Sequence, residues 1–146
     1  MPLTTIKNSQ VDSSAGITAA KLGAGVAKLA TASTWTSGQR GDITALTSAT
    51  TITIDMADSN NFSVTLAHNA TFANPSNDTA GQSGSIFITQ DGTGGRTASW
   101  GSDWEFAGGT APTLTTTAAG SDRIDYIIKS GTSIQAVATL ALASPS

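Results

Sequence analysis

The stretch TITIDMADSNNFSVTL, residues 51–66, decides the fold class. Ile52, Ile54 and Met56 occupy alternate positions with Thr51, Thr53 and Asp55 between them, and after the turn-rich ADSNN the pattern resumes as Phe62, Val64 and Leu66 against Ser63 and Thr65. Successive side chains of a strand point to opposite faces, so this period of two predicts two half-buried strands. Working outward, SIFITQ places Ile86 and Ile88 on one side, and RIDYIIK places Ile124, Tyr126 and Ile128 there, with Phe87 and Ile127 as apolar residues on the opposite face. Those two predict a second covered surface. SIQAVATLAL puts Ile134, Ala136, Ala138, Leu140 and Leu142 on one face and Val137 and Ala141 on the other, which predicts a strand buried on both sides, as at a subunit interface.

Turn signals punctuate these runs at Ala57–Asn60, NPSNDTAGQSG (74–84), DGTGG (91–95), AGG (107–109) and KSGTS (129–133). Short strands with frequent turns predict a mainly β domain, an antiparallel β-sandwich or jelly roll, over residues 42–146. No internal repeat of fixed period is apparent. The glycine-rich TQDGTGGRTASW, residues 89–100, lacks the lysine of a phosphate loop and the third glycine of a dinucleotide loop, and β-like alternation follows it. It reads as a hairpin bend, glycine supplying positive φ at no steric cost.

Residues 1–41 are different in kind and read as an N-terminal attachment arm with a short helix. In SSAGITAAKLGAGVAKLA, Ser13 or Ser14 can cap a helix whose apolar positions are Ile17, Leu22, Val26 and Leu29, the last three at i, i+4, i+7. Gly23 and Gly25 cost about 1 kcal/mol each in a helix interior, so this segment needs a partner to lie on.

The 146 residues suit one domain, which at about 150 residues buries roughly 68–70% of its unfolded surface. Only 12% are charged, against about 25% in ordinary domains, and the net charge of −3 offers no footprint for nucleic acid. No run approaches the ~18 apolar residues of a membrane span, and the N-terminus carries no apolar leader, so no membrane partner is expected. Cysteine is absent, which excludes disulfides, a thiol nucleophile and Cys-based metal sites. His68, in LAHNAT, reads as a loop residue, and no GxSxG elbow supplies a serine nucleophile, so no catalytic residue, cofactor or metal is expected. Asp55, Asp58 and Asn60 are oxygen ligands of the kind calcium accepts, but their spacing fits an Asx turn better. One cluster stands out: Trp100, Asp103, Trp104 and Glu105, where aromatics that stack on sugars lie beside two carboxylates. They are candidate glycan contacts, weighed against tryptophans that plug the end of the domain and carboxylates that face water.

The segment IKNSQVDSSAGITAAKL resembles one that precedes β domains in virion proteins of tailed bacteriophages. NFSVTL, ATFANP, GQSGSIFITQDGTGGRT, FAGGTAPTL and the D-x-x-D-Y strand beginning at Asp122 resemble marks of a β domain found there. This resemblance implies a non-enzymatic structural component of the virion, a tail fibre, head fibre or capsid decoration protein. It implies a homotrimer attached to capsid or tail proteins through its arm, and leaves head or tail placement open. The alternative function is a host-surface glycan-binding module.

Overall fold

The computed structural model describes residues 38–143, so the helix expected in the arm, with Ile17, Leu22, Val26 and Leu29, falls outside the described residues. The chain divides into two units at Gln39, and every strand below belongs to the second, Arg40–Ser146. Nine strands run through the described residues: β1 (Ile43–Ala45), β2 (Thr51–Ile52), β3 (Asn61–Leu66), β4 (Ala70–Phe72), β5 (Ser83–Gln90), β6 (Ala98–Trp100), β7 (Trp104–Phe106), β8 (Ser121–Ser130) and β9 (Ser133–Leu142). The protein is mainly β, as the alternation predicts.

The pairing is less conventional than a sandwich of hairpins. Strands β1, β3 and β5 lie side by side in parallel, and β2, β4 and β6 do the same in a second sheet. The chain therefore winds through three two-strand coils, each stacked on the one before. Antiparallel pairing is confined to β5 with β8 and β8 with β9, and β7 joins the far edge parallel to β9. The six-stranded sheet is thus mixed and the three-stranded sheet wholly parallel, where an antiparallel arrangement was expected. The reason lies in the turns: Asn, Asp, Ser and Gly mark a change of direction, but a corner into the facing sheet uses the same residues as a hairpin. Ile43 pairs with Asn61 and Asn61 with Ser85, offsets of 18 and 24 residues, while Thr51, Thr71 and Ser99 align at offsets of 20 and 28. Unequal corners hide the coils from any search for a fixed period.

In-register stacking makes the core a set of ladders. Phe62, Ile86 and Ile124 align across β3, β5 and β8, and from the other sheet Ile52, Phe72 and Trp100 align across β2, β4 and β6. The Phe72 and Trp100 rings stack at 4.6 Å and 14°. Both sheets contribute to one buried cluster, in which Ile54, Met56, Val64, Leu66, Ile88, Ile128 and Ile134 also sit, each large apolar side chain stabilising by about 1.5–3 kcal/mol. Outside, Thr71 and Ser99 continue the register with a hydroxyl contact of 2.8 Å.

The loop after β5 is a corner and not the hairpin bend expected, because β6 pairs with β4. Its glycines do serve as turn residues: Gly94 and Gly95 have φ of 72° and 77°. Asp91 organises it, accepting from the backbone N–H groups of Thr93 and Gly94 at 3.0 and 2.8 Å and from Arg96 Nη2 at 2.7 Å. The Arg96 guanidinium, then the Gly94 N–H, hold the Asp91 carboxyl below the usual carboxylate range. Gln90 occupies the inward position that Leu66 fills one coil earlier, and its buried amide brackets Arg96, donating to the carbonyl at 2.9 Å and accepting from the N–H at 2.8 Å. Asp55 forms the expected Asx turn, accepting from the Ala57 N–H at 2.9 Å, and receives Asn77 Nδ2 at 2.8 Å.

Glycine is required at position 84. A Cβ there would run into the Asn60 carbonyl, which accepts a hydrogen bond from the Tyr126 hydroxyl at 2.8 Å. Burial pushes that phenol up to about 12.

Within the single chain β9 is covered on one side only. Ile134 and Ala136 face the core, but Val137 is 66% exposed and Leu140 and Leu142 are 41% exposed. Alternation also fails near its end, because Arg123 pairs with Thr139 and Ser121 with Leu142, so β9 carries an extra residue. Ala141, at φ 54°, turns its N–H to the buried Asp122 carboxylate at 2.9 Å. Asp122 also accepts from the Thr115 N–H at 2.8 Å and the Thr115 hydroxyl at 2.7 Å, fastening the segment before β8 to the end of β9.

Candidate functional site

The aromatic cluster is assembled by the tight passage from β6 to β7. Gly101 donates its N–H to the Phe72 carbonyl at 2.7 Å and accepts from the Trp104 N–H at 3.2 Å, and a side chain at 101 would collide with Asn74. This turn brings Trp104 edge-on to Trp100 at 5.2 Å and 66°, and Phe106 edge-on to the same ring at 5.1 Å and 67°. Both are geometries that aromatic quadrupoles favour. Trp104 is a core residue: it is 6% exposed, meets Tyr126 edge-on at 6.2 Å, and donates its Nε1–H to the Ala73 carbonyl at 3.1 Å. Trp100 is half-buried, one face on Phe72, with its Nε1 enclosed and unpartnered.

Beside these rings lies a groove of about 460 Å³ lined by Trp100, Trp104, Glu105 and Phe106 together with Gly101, Gly109 and Ala111. Three of the four candidate glycan contacts thus come together. Asp103 does not join them. Its N–H donates to Asn74 Oδ1 at 3.1 Å, its carboxylate accepts from the Ser102 hydroxyl at 3.2 Å, and its carbonyl accepts from the Ile134 N–H at 2.8 Å. The two carboxylates are therefore not gathered into one cleft. The AGG turn was legible in the sequence, and Gly108 and Gly109 both have φ of 69°, but Phe106, the aromatic just before it, was not among the expected contacts. His68 sits on an exposed corner with Nδ1 3.2 Å from the Ser48 hydroxyl, as its loop context predicts.

A second groove, of about 530 Å³, runs over the outer face of β7, β8 and β9, with Ile127, Gln135, Val137 and Asp125 on its walls. Glu105 lines both grooves. Asp125 is held by Ser85 at 2.6 Å and by an ion pair with Arg123 at 2.9 Å, so charge is concentrated in mid-face between apolar patches.

Residues 46–134, more than half of the chain, match a family model described as "Putative phage tail fibre C-terminal domain". The chain belongs to that family. No curated protein and no solved structure matches it. The matched residues of this tail-fibre domain begin just after β1, include all three coils from β2 onward, and end at Ile134 in β9. Trp100, Trp104, Glu105 and Phe106 all lie within them. As a phage tail-fibre domain it is a structural fibre component of the virion.

Proposed function

We propose that this tail-fibre domain is non-enzymatic, assembles as a homotrimer, and is held to neighbouring virion proteins by the arm at residues 1–41. The observation that carries self-association is the outer face of β8 and β9, where Ile127 and Val137 are 49% and 66% exposed, with Leu140 and Leu142 also exposed at the end of β9. Apolar side chains concentrated on adjacent strands mark an interaction surface, whereas scattered ones need no explanation. Light scattering of the full chain is expected to return three times 14.6 kDa, and a Val137→Asp variant to return the single-chain mass. A wild-type monomer at micromolar concentration would remove the trimer.

Attachment is assigned to Ile17, Leu22, Val26 and Leu29, whose spacing gives one thin apolar stripe. Deleting residues 1–30 is expected to abolish incorporation into particles. Unchanged incorporation would end that assignment.

A second reading, host-surface glycan binding, is supported by the groove that Trp100, Phe106 and Glu105 line. Glycan-array screening of wild type against Glu105→Gln tests it, and no saturable signal on any glycan would retire it.

A further inference from the structure

The groove beside Trp100 has an unusual inventory of polar groups. Glu105 is the only ionisable residue on its walls, and its carboxylate has no hydrogen-bond or ion-pair partner among the described residues. The two indole N–H groups, the only other polar side-chain atoms there, are not presented to a ligand: that of Trp104 is committed to the Ala73 carbonyl and that of Trp100 is enclosed. Phe106, Gly109 and Ala111 add no polar side-chain atom. The side chains therefore present a hydrogen-bond acceptor and aromatic surface, and no donor.

A neutral sugar hydroxyl both donates and accepts, so half of its hydrogen-bonding capacity would find no side chain in such a groove. An ammonium group only donates, is attracted to a carboxylate, and is attracted to the faces of tryptophan and phenylalanine rings. The surrounding field has the same sign. Residues 38–143 contain four Arg or Lys against nine Asp or Glu, and two of those four, Arg96 and Arg123, are already paired with Asp91 and Asp125. A cation approaching Glu105 is therefore drawn in by its neighbours as well.

We infer that this groove takes an organic ammonium group, presented by an unacetylated amino sugar. The inference rests on the glycan reading above and narrows it to sugars that carry a positive charge. Acetylation removes that charge and replaces the donor-only group with an amide.

The test titrates the full chain with glucosamine, N-acetylglucosamine, glucose and choline at about pH 6, below the ~8 at which a free α-amino group loses its proton, following the tryptophan indole signals by NMR. Glucosamine is expected to give a saturable shift, N-acetylglucosamine and glucose none, and Glu105→Gln to weaken glucosamine about fivefold, the range of a cation–π or exposed ion-pair contact. Glu105 is exposed and lies on β7 without a side-chain partner, so the variant keeps the fold, which its unfolding midpoint verifies. Neutral sugars binding as tightly as glucosamine, or an unchanged Glu105→Gln, would overturn the inference and leave the glycan reading standing. Choline binding without glucosamine would overturn the sugar as carrier, and no shift with any of the four would overturn the inference; in both cases the glycan array decides the wider reading.

Discussion

Asp122→Ala is expected to destabilise the domain by about 3–5 kcal/mol, the largest effect of any polar substitution in the described residues. Asp122 is 1% exposed and accepts three hydrogen bonds, from the N–H and hydroxyl of Thr115 and from the N–H of Ala141. Alanine leaves the Thr115 N–H buried without an acceptor. The Ala141 N–H retains only the Thr115 hydroxyl, 3.0 Å away. An unmet buried donor costs about 1–3 kcal/mol, and the charge-assisted bonds lost with it are each about twice as strong as neutral ones. Asp122→Asn separates shape from acceptor chemistry, since its amide group offers one acceptor oxygen and turns an NH2 toward donors. It is expected to cost about 1–3 kcal/mol. Urea unfolding measures both, and a loss below about 1 kcal/mol for alanine would show that the bulge at Ala141 is held by something else.

Trp104→Ala is expected to cost a further ~3–5 kcal/mol, as for other large-to-small changes in a core. The side chain fills the space between Trp100 and Tyr126, and its removal also strands the Ala73 carbonyl. This changes how binding should be tested. A lost glycan signal in Trp104→Ala would report a damaged core as readily as a missing contact, whereas Glu105→Gln leaves the packing intact. Thermal and denaturant unfolding of Trp104→Ala decide the matter: wild-type stability would mean that Trp104 is not the core residue its burial indicates.

Much of the strand content was legible because burial and alternation are local. Ile52, Ile54 and Met56, and then Phe62, Val64 and Leu66, are all buried, as the period of two requires. Pairing direction was not legible, because nothing in ADSNN or DGTGG says whether the next strand returns beside its predecessor or crosses to the other sheet. The end of β9 misled for a different reason. Leu140, Ala141 and Leu142 alternate in composition, but an Ala141 N–H drawn to Asp122 shifts the register, a long-range cause with no local trace. At the candidate site, Trp100, Trp104 and Glu105 were found because aromatics and acids stood close in sequence. Asp103 shared that proximity and was separated from them only by the Asn74 and Ile134 contacts that fix its backbone.

The winding of β1 to β6 has a bearing on how such a protein changes over time. Within the spiral each turn is paired only with the turns beside it, the last being capped by β8, so its stability is close to a sum over neighbours. Gaining or losing one entire turn alters height by about 4.8 Å, one strand spacing, while leaving the ring ladders of the remaining turns in line. A fragment of a turn would throw every later rung out of step. Length variation in this architecture is therefore quantised, and the irregular corners are where smaller insertions can accumulate unnoticed.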